Sequence, residues 1–332
     1  MNDDTDDEVL DGIEIQSLKR KRTSRLDRWL IAPFLIFKKT LKIKADVYHF
    51  HDPEFIPYGF LLKLLGKKVI MDAHENYSTQ IKARNYINNW QKKFFINLIL
   101  IFESIFIKHF NYVCCATPNI REHFSKYNNN CEEILNYPLL EELSSKPQNK
   151  QRKNFIYIGG VTQERGIRQM ISAFENIDAK LHIIGPFVDE GFFEEISQSS
   201  IWKNSVIYHG LLPRKQSLDL LNQALGGFIL FEPNEHHINS VPNKLFEYMS
   251  AGVAVIASNF PYWQNVISSS MVGYCVDPLS EEEISDAINK LLLNENNTAK
   301  FSSNGIKAVQ EKYNWLIEEK KLLKVYEHIL SD

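Results

Sequence analysis

Two doubly wound α/β domains of Rossmann-like build are what this sequence predicts, and three observations carry the prediction. Short β-like runs alternate with helical patterns along nearly the whole chain, as parallel sheets with crossover helices require. At 332 residues the chain is longer than the roughly 250–300 residues over which a single core grows. The stretch SSKPQNKQRKN at 144–154 holds no apolar residue and reads as an interdomain linker. The domains are placed at 1–145 and 150–312, with a closing helical segment at 313–332.

The elements follow in order. The chain opens on an acidic tip of Asp3, Asp4, Asp6, Asp7 and Glu8, which is no signal peptide. A basic cluster of Lys19, Arg20, Lys21, Arg22, Arg25 and Arg28 precedes the apolar stretch WLIAPFLIFKKTLKIK at 29–44. Two readings of that stretch stand side by side: a surface helix packed on its own domain, or a basic amphipathic segment lying on an anionic bilayer. Strands are expected in DGIEIQSL (11–18), DVYHFH (46–51), KKVIMDAH (67–74) and YVCCAT (112–117). Beyond the linker come FIYIGG (155–160), KLHIIGP (180–186), SVIYHG (205–210), GGFILF (226–231), VAVIAS (253–258) and GYCVD (273–277). The run FFINLILIFESIFI (94–107) is shorter than the ~20 residues of a membrane span and contains Asn97 and Glu103. A buried or interfacial helix is expected there. The tail 315–330 reads as an amphipathic helix.

Composition excludes several classes. Thirty-eight Lys+Arg against 41 Asp+Glu leave a net charge of −3, so no nucleic-acid partner is expected. The four cysteines form no CxxC pair, which suits a reducing, cytoplasmic setting and implies neither zinc ribbon nor disulfide framework.

Ligands of open α/β sheets bind beyond the carboxyl ends of strands, and three such ends carry chemistry. In FIYIGGVTQERGI, Gly159 and Gly160 allow close backbone approach to a ligand, and Arg165 at the turn suits phosphate oxygens. In NSVPNKLFEYMSAGVAVIAS, helical spacing places Asn243 and Glu247 on one face with Lys244 beside them, opposite Leu245, Phe246 and Met249. A carboxylate one turn into that helix suits a sugar diol. The third place is YHFHDPEF with MDAHENY. His49 and His51 share a strand, and only His51 is expected to face a cleft, followed by Asp52; His74 and Glu75 end the next strand. Neither these histidines nor Glu235, His236 and His237 have fixed metal-ligand spacing, so no metal is expected. Asp4-Thr5-Asp6 has no strand before it and is likewise given no metal role.

With these residues in place, the sequence resembles glycosyltransferase family 4, retaining enzymes of the glycosyltransferase-B fold, from about residue 11 to the end. The resemblance rests on YHFHDPEFIPYG with KKVIMDAHENY, on IYIGGVTQERGI, on SVPNKLFEYMSAGVAVIAS, and on VDPLSEEEISDAINKLL with the YNW at 313–315. It implies transfer of a sugar from a nucleotide sugar, with a UDP-sugar the expected donor, to a glycan or polyprenyl-linked acceptor in bacterial surface-polysaccharide assembly. It further implies that Glu247 holds the ribose hydroxyls and that Arg165 faces the diphosphate in place of a metal. Backbone amides near Ser240 to Asn243 would join Arg165, and His51 would meet the transferred sugar, with Asp52, His74 and Glu75 on the acceptor side. No cofactor is implied, and no carboxylate nucleophile. The last helix would cross back onto the first domain. The chain departs from the family pattern at Asn239, where a glutamate is usual, and at Gly160, where an arginine is usual. DGIEIQSL resembles the family's third strand, so the first βαβ unit is expected to be missing: either the start is wrongly placed, or the chain is a fragment, or a second chain completes that domain. The competing reading is a non-catalytic glycosyltransferase-like subunit that binds a nucleotide or partner. An anionic membrane surface is a further expected partner.

Overall fold

The computed structural model describes residues 7–18, 27–83, 88–140 and 152–331. The Asp4-Thr5-Asp6 run, the basic residues at 19–25 and most of the linker at 144–154 lie outside the described residues. The chain divides into two compact units, one of Met1–Leu135 with Lys320–Asp332 and one of Asn136–Glu319.

The first unit begins with strands β1 (Glu8–Leu10) and β2 (Ile13–Ile15), paired antiparallel as a separate two-stranded sheet. The strand read at 11–18 is therefore not part of the parallel sheet. Asp11 and Gly12 take φ of 52° and 82°, the left-handed pair that a two-residue hairpin demands, and this turn folds the strand back. Strands β3 (Val47–Phe50), β4 (Lys68–Ala73), β5 (Tyr112–Cys115) and β6 (Cys131–Glu133) form a four-stranded parallel sheet in that order. In β4, Val69, Ile70, Met71 and Ala73 are all buried, as expected of a strand covered on both faces. Its core gathers Leu62, Met71, Ile107, Val113 and Phe124.

Helix Asn89–Phe106 is inverted. Its one buried residue is Glu103, whose carboxylate meets His123 Nε2 at 2.7 Å, while Trp90, Phe94, Leu98, Ile101 and Ile105 are exposed. In helix Ala32–Thr40 only Ala32 and Pro33 are buried, and Phe34 and Ile36 are exposed. Phe37 packs against the first unit's core, 5.2 Å ring to ring from Tyr58, so the helix rests on its own domain through a narrow contact. No described helix is long and apolar enough to cross a membrane.

The second unit holds β7 (Asn154–Ile158), β8 (Leu181–Ile184), β9 (Val206–Gly210), β10 (Ala224–Ile229), β11 (Ala254–Ser258) and β12 (Gly273–Val276). All pairs are parallel, and the order is β12-β11-β10-β7-β8-β9. Strand order thus reverses between β7 and β10, the switch point at which doubly wound sheets open a crevice at their carboxyl ends. Glycines at the centre of β10 make room for rings: a Cβ on Gly227 would lie 2.5 Å from Tyr248.

The final helix runs Trp315–Ser331. Its residues from Lys320 onward group with the first unit, where Tyr326 Oη lies 2.8 Å from His49 Nδ1 and Lys68 Nζ donates to the Ile329 carbonyl at 2.7 Å.

Candidate functional site

The second unit builds its site at the switch point. After β7 the chain enters Gly159-Gly160, then a 3-10 turn Gln163–Arg165, then helix Ile167–Ser172. Gly185, at φ +137°, packs backbone on backbone: a Cβ there would lie 1.9 Å from Gly159 O. Gly166, at φ +64°, turns the chain into the helix where a Cβ would lie 2.5 Å from Leu230 O. The Tyr157 hydroxyl donates to Gly160 O at 2.7 Å, fixing the turn from beneath.

Arg165 is held by its neighbours' shapes. Its guanidinium lies 5.2 Å from the centre of the Phe231 ring and beside the Tyr157 hydroxyl. No ion pair to Arg165 is found among the described residues. Its charge is left for a ligand.

A network of bonds ties this turn to the loop after β10. Glu232 N donates to Glu164 O at 2.8 Å, and Ser258 Oγ bridges both backbone polar groups of Phe231. His237 Nδ1 lies 2.8 Å from Glu232 O, and burial holds its pKa below the ordinary histidine value. Asn234 caps the short helix Glu235–Ile238 by accepting from His237 N. The loop cluster Glu235–His237 is thus a structural brace.

Helix Asn243–Ser250 follows from its sequence. Pro242 sits at its N-cap, Leu245, Phe246, Tyr248 and Met249 are fully buried, and Gly252 at φ +64° ends it. Tyr248 Oη accepts from Ile158 N at 3.2 Å, tying the helix to the end of β7. On the other face Lys244 Nζ meets Glu247 Oε2 at 2.6 Å. Asn243 is the first helical residue. Asn239 and Ser240 are turned onto their own loop: Asn239 Nδ2 donates to Glu235 O at 2.7 Å and Ser240 Oγ to His237 O at 2.8 Å. Trp263 Nε1 donates to Ser240 O at 2.7 Å and anchors the loop. The unit offers two cations, a carboxylate acceptor and a glycine turn, a set able to hold a diphosphate and a diol.

In the first unit, the ends of β3 and β4 gather a second cluster. His49 and His51 stack side by side, ring centres 5.1 Å apart and planes 13° apart. Only one was expected to face outward, but residues two apart on a strand share a face, so both rings lie together. His51 stands one residue past the Phe50–Met71 pair, beside Asp72, and its Nδ1 lies 3.2 Å from Asp72 Oδ2. His74 Nε2 is 3.5 Å from the same oxygen. Burial acts to raise the pKa of Asp72, but hydrogen bonds from His51 and His74 outweigh it and hold the carboxyl well below the usual range. Burial lowers His49 to about 4, and Asp72 raises His74. Asp52 opens the Pro53–Phe55 turn, while Glu75 is exposed beside His74. A cavity of about 340 Å³ is lined by Pro33, Ile36, Val47 and Phe55 together with His49, His51 and Asp52.

Sequence reasoning missed Asp72, Tyr326, Phe231 and Trp263. For Asp72 a signal existed: it lies two residues before His74, on the same face of β4. The other three are brought in by tertiary packing alone.

Residues 141–308 match the family model described as glycosyl transferases group 1. The chain is 20% identical over 198 residues to an uncharacterized glycosyltransferase of Methanocaldococcus jannaschii, a match over 58% of this chain and about half (49%) of that relative. Among solved structures, sucrose-phosphate synthase of Thermosynechococcus elongatus superposes with a TM-score of 0.72 at 15% identity, over 95% of this chain and 81% of that one. A glycosyltransferase of Rickettsia africae gives 0.71 at 14%, over 96% and 86%. Anabaena HepE, solved in complex with UDP, gives 0.72 at 11%, over 92% and 84%. The α/β fold with its parallel sheets is that of the glycosyltransferase-B enzymes. The chain belongs to the glycosyl transferases group 1 family.

Proposed function

We propose that the chain is a retaining, family-4 glycosyltransferase that moves a sugar from a UDP-sugar to a glycan or polyprenyl-linked acceptor. The observation that carries this reading is the donor set of the second unit: Arg165 on its glycine turn, with Lys244 and Glu247 on the first turns of helix Asn243–Ser250. Arg165 and Lys244 would receive the negative charge that grows on the leaving diphosphate, work done elsewhere by a divalent metal. Glu247 would accept from the ribose hydroxyls, and within 240–243 the backbone N–H groups of Val241 and Asn243 would add donors, since Ser240 N is bonded to His237 O and Pro242 has none. His51 would meet the transferred sugar, and the cavity beside Asp52 would admit the acceptor. UDP in the HepE structure supports the choice of base.

The same reading puts the enzyme in the cytoplasm, on the inner face of the membrane, in surface-polysaccharide assembly. Helix Asn89–Phe106 supports this: Trp90, Phe94, Leu98, Ile101 and Ile105 form an exposed apolar stripe, with Lys92 and Lys93 on the same helix.

Calorimetric titration with UDP, GDP and ADP tests the donor reading. UDP is expected to bind and Arg165→Ala to weaken it. No heat from any of the three overturns it. Turnover of UDP-sugars should be the same with and without added Mg²⁺ or Mn²⁺; dependence on either would remove Arg165 from the proposed role.

A further inference from the structure

The side chains at the ends of β3 and β4 have a geometry that sugar transfer does not call for. His51 Nδ1 lies 3.2 Å from both Asp72 Oδ2 and His74 Nε2; His74 Nε2 is 3.5 Å and His49 Nε2 3.8 Å from the same carboxylate oxygen. Hydrogen bonds reach about 3.2 Å, and ligand atoms held tetrahedrally at about 2.0–2.1 Å from zinc stand roughly 3.3 Å apart. The separations of 3.2 and 3.5 Å among His51, Asp72 and His74 suit an ion as well as a bond, and His49 stands slightly wider. The donor atoms of His49, His51 and Asp72 all lie within 4.8 Å of one another.

His49 supplies an independent observation. Its Nε2 is buried and makes no hydrogen bond, while its Nδ1 lies 2.8 Å from the Tyr326 hydroxyl. With Nδ1–H donating to Tyr326 Oη, Nε2 keeps a bare lone pair on the side of Asp72. An outer hydrogen bond of this kind orients a metal-bound imidazole and fixes its tautomer. Three imidazoles and one carboxylate suit borderline ions of the zinc class, whereas calcium and magnesium ask for oxygen ligands.

We propose that His49, His51, Asp72 and His74 form a binding site for a divalent transition-metal ion of the zinc class, with Tyr326 orienting His49. This site is separate from the diphosphate, whose charge the reading above gives to Arg165 and Lys244; at His51 the two readings compete, since an imidazole that ligates the ion does not meet the transferred sugar.

The test uses the full chain without a histidine tag, stripped with a chelator and titrated with Zn²⁺ against a chromophoric competitor. One Zn²⁺ per chain at micromolar affinity or tighter is expected, and Co²⁺ should give the visible bands of tetrahedral coordination. Asp72→Asn and His49→Gln should each weaken Zn²⁺ at least tenfold. His51→Gln, on the most exposed of the rings, should do the same if the buried variants fail to fold. His182→Gln serves as the control: His182 Nδ1 lies 2.9 Å from His209 Nε2 in the second unit, and its loss should leave Zn²⁺ affinity unchanged. The proposal is overturned by no saturable Zn²⁺ binding, by unchanged affinity in folded Asp72→Asn or His51→Gln, or by loss of the ion in His182→Gln.

Discussion

Two helices of this molecule, Asn243–Ser250 and Asn89–Phe106, are both amphipathic and are set in opposite senses. The first buries Leu245, Phe246, Tyr248 and Met249 and presents Lys244 and Glu247 outward. The second buries Glu103 and presents Trp90, Phe94, Leu98, Ile101 and Ile105. An apolar stripe in a sequence states that something apolar must cover it; it does not state what. In the first helix the cover is the chain's own core. In the second only Phe102 and Phe106 find the unit's core, beside a buried acid–histidine pair, and the stripe from Trp90 to Ile105 is left exposed.

The largest expected effect breaks the first helix. Phe246→Ala should cost about 3–5 kcal/mol in urea unfolding, the usual range for a buried aromatic truncation. Arg165→Ala should leave the melting point nearly unchanged yet slow sugar transfer by about 10²–10³, the loss of one preorganised donor to a charged transition state. Glu103→Ala should destabilise the first unit by about 3 kcal/mol, because His123 then stays buried without its partner. A neutral result there would show that the inverted helix is held by something else. Phe94→Glu with Leu98→Glu should change stability by no more than about 0.5 kcal/mol. The same pair should sharply reduce sedimentation with anionic vesicles; unchanged sedimentation would move the membrane surface elsewhere. The smallest effect is on pH. His237 binds its proton less readily folded than unfolded, so its contribution is held above about pH 6.5 and lost as pH falls below that. His237→Gln should therefore lose less stability between pH 7 and 5 than the unaltered chain, measured as the shift in melting temperature.

Much of the second unit was legible in the sequence. Each of its strands has the predicted core: β7, β8, β10 and β11 are near-continuous buried apolar runs bounded by turn residues, and edge strand β9 shows its short β-like run although Ile207 and Tyr208 are exposed. The Gly159-Gly160 turn, the Arg165 position and the Lys244–Glu247 face were likewise readable from local spacing. The first unit was harder. Asp11-Gly12 is a hairpin signal that a strand-by-strand count overrides, and β6, Cys131–Glu133, is too short and polar to announce itself. The histidine cluster needs two strands in register and a helix some 275 residues away, so pairwise spacing cannot reveal it. Helix Asn89–Phe106 turns Phe102, Phe106 and Glu103 to its unit, and no periodicity contains the Glu103–His123 contact.

The contact between Gly185 and Gly159 decides what the turn after β7 can tolerate. There, backbone meets backbone, and any side chain on Gly185 would collide with a carbonyl oxygen at 1.9 Å. Residue 185 is thus closed to any side chain, whereas residue 160, one step along the same turn, has open space around it. The facing loop from Phe231 to Asn243 is braced by side chains instead. One wall of the crevice is therefore keyed by the absence of side chains and the other by their presence.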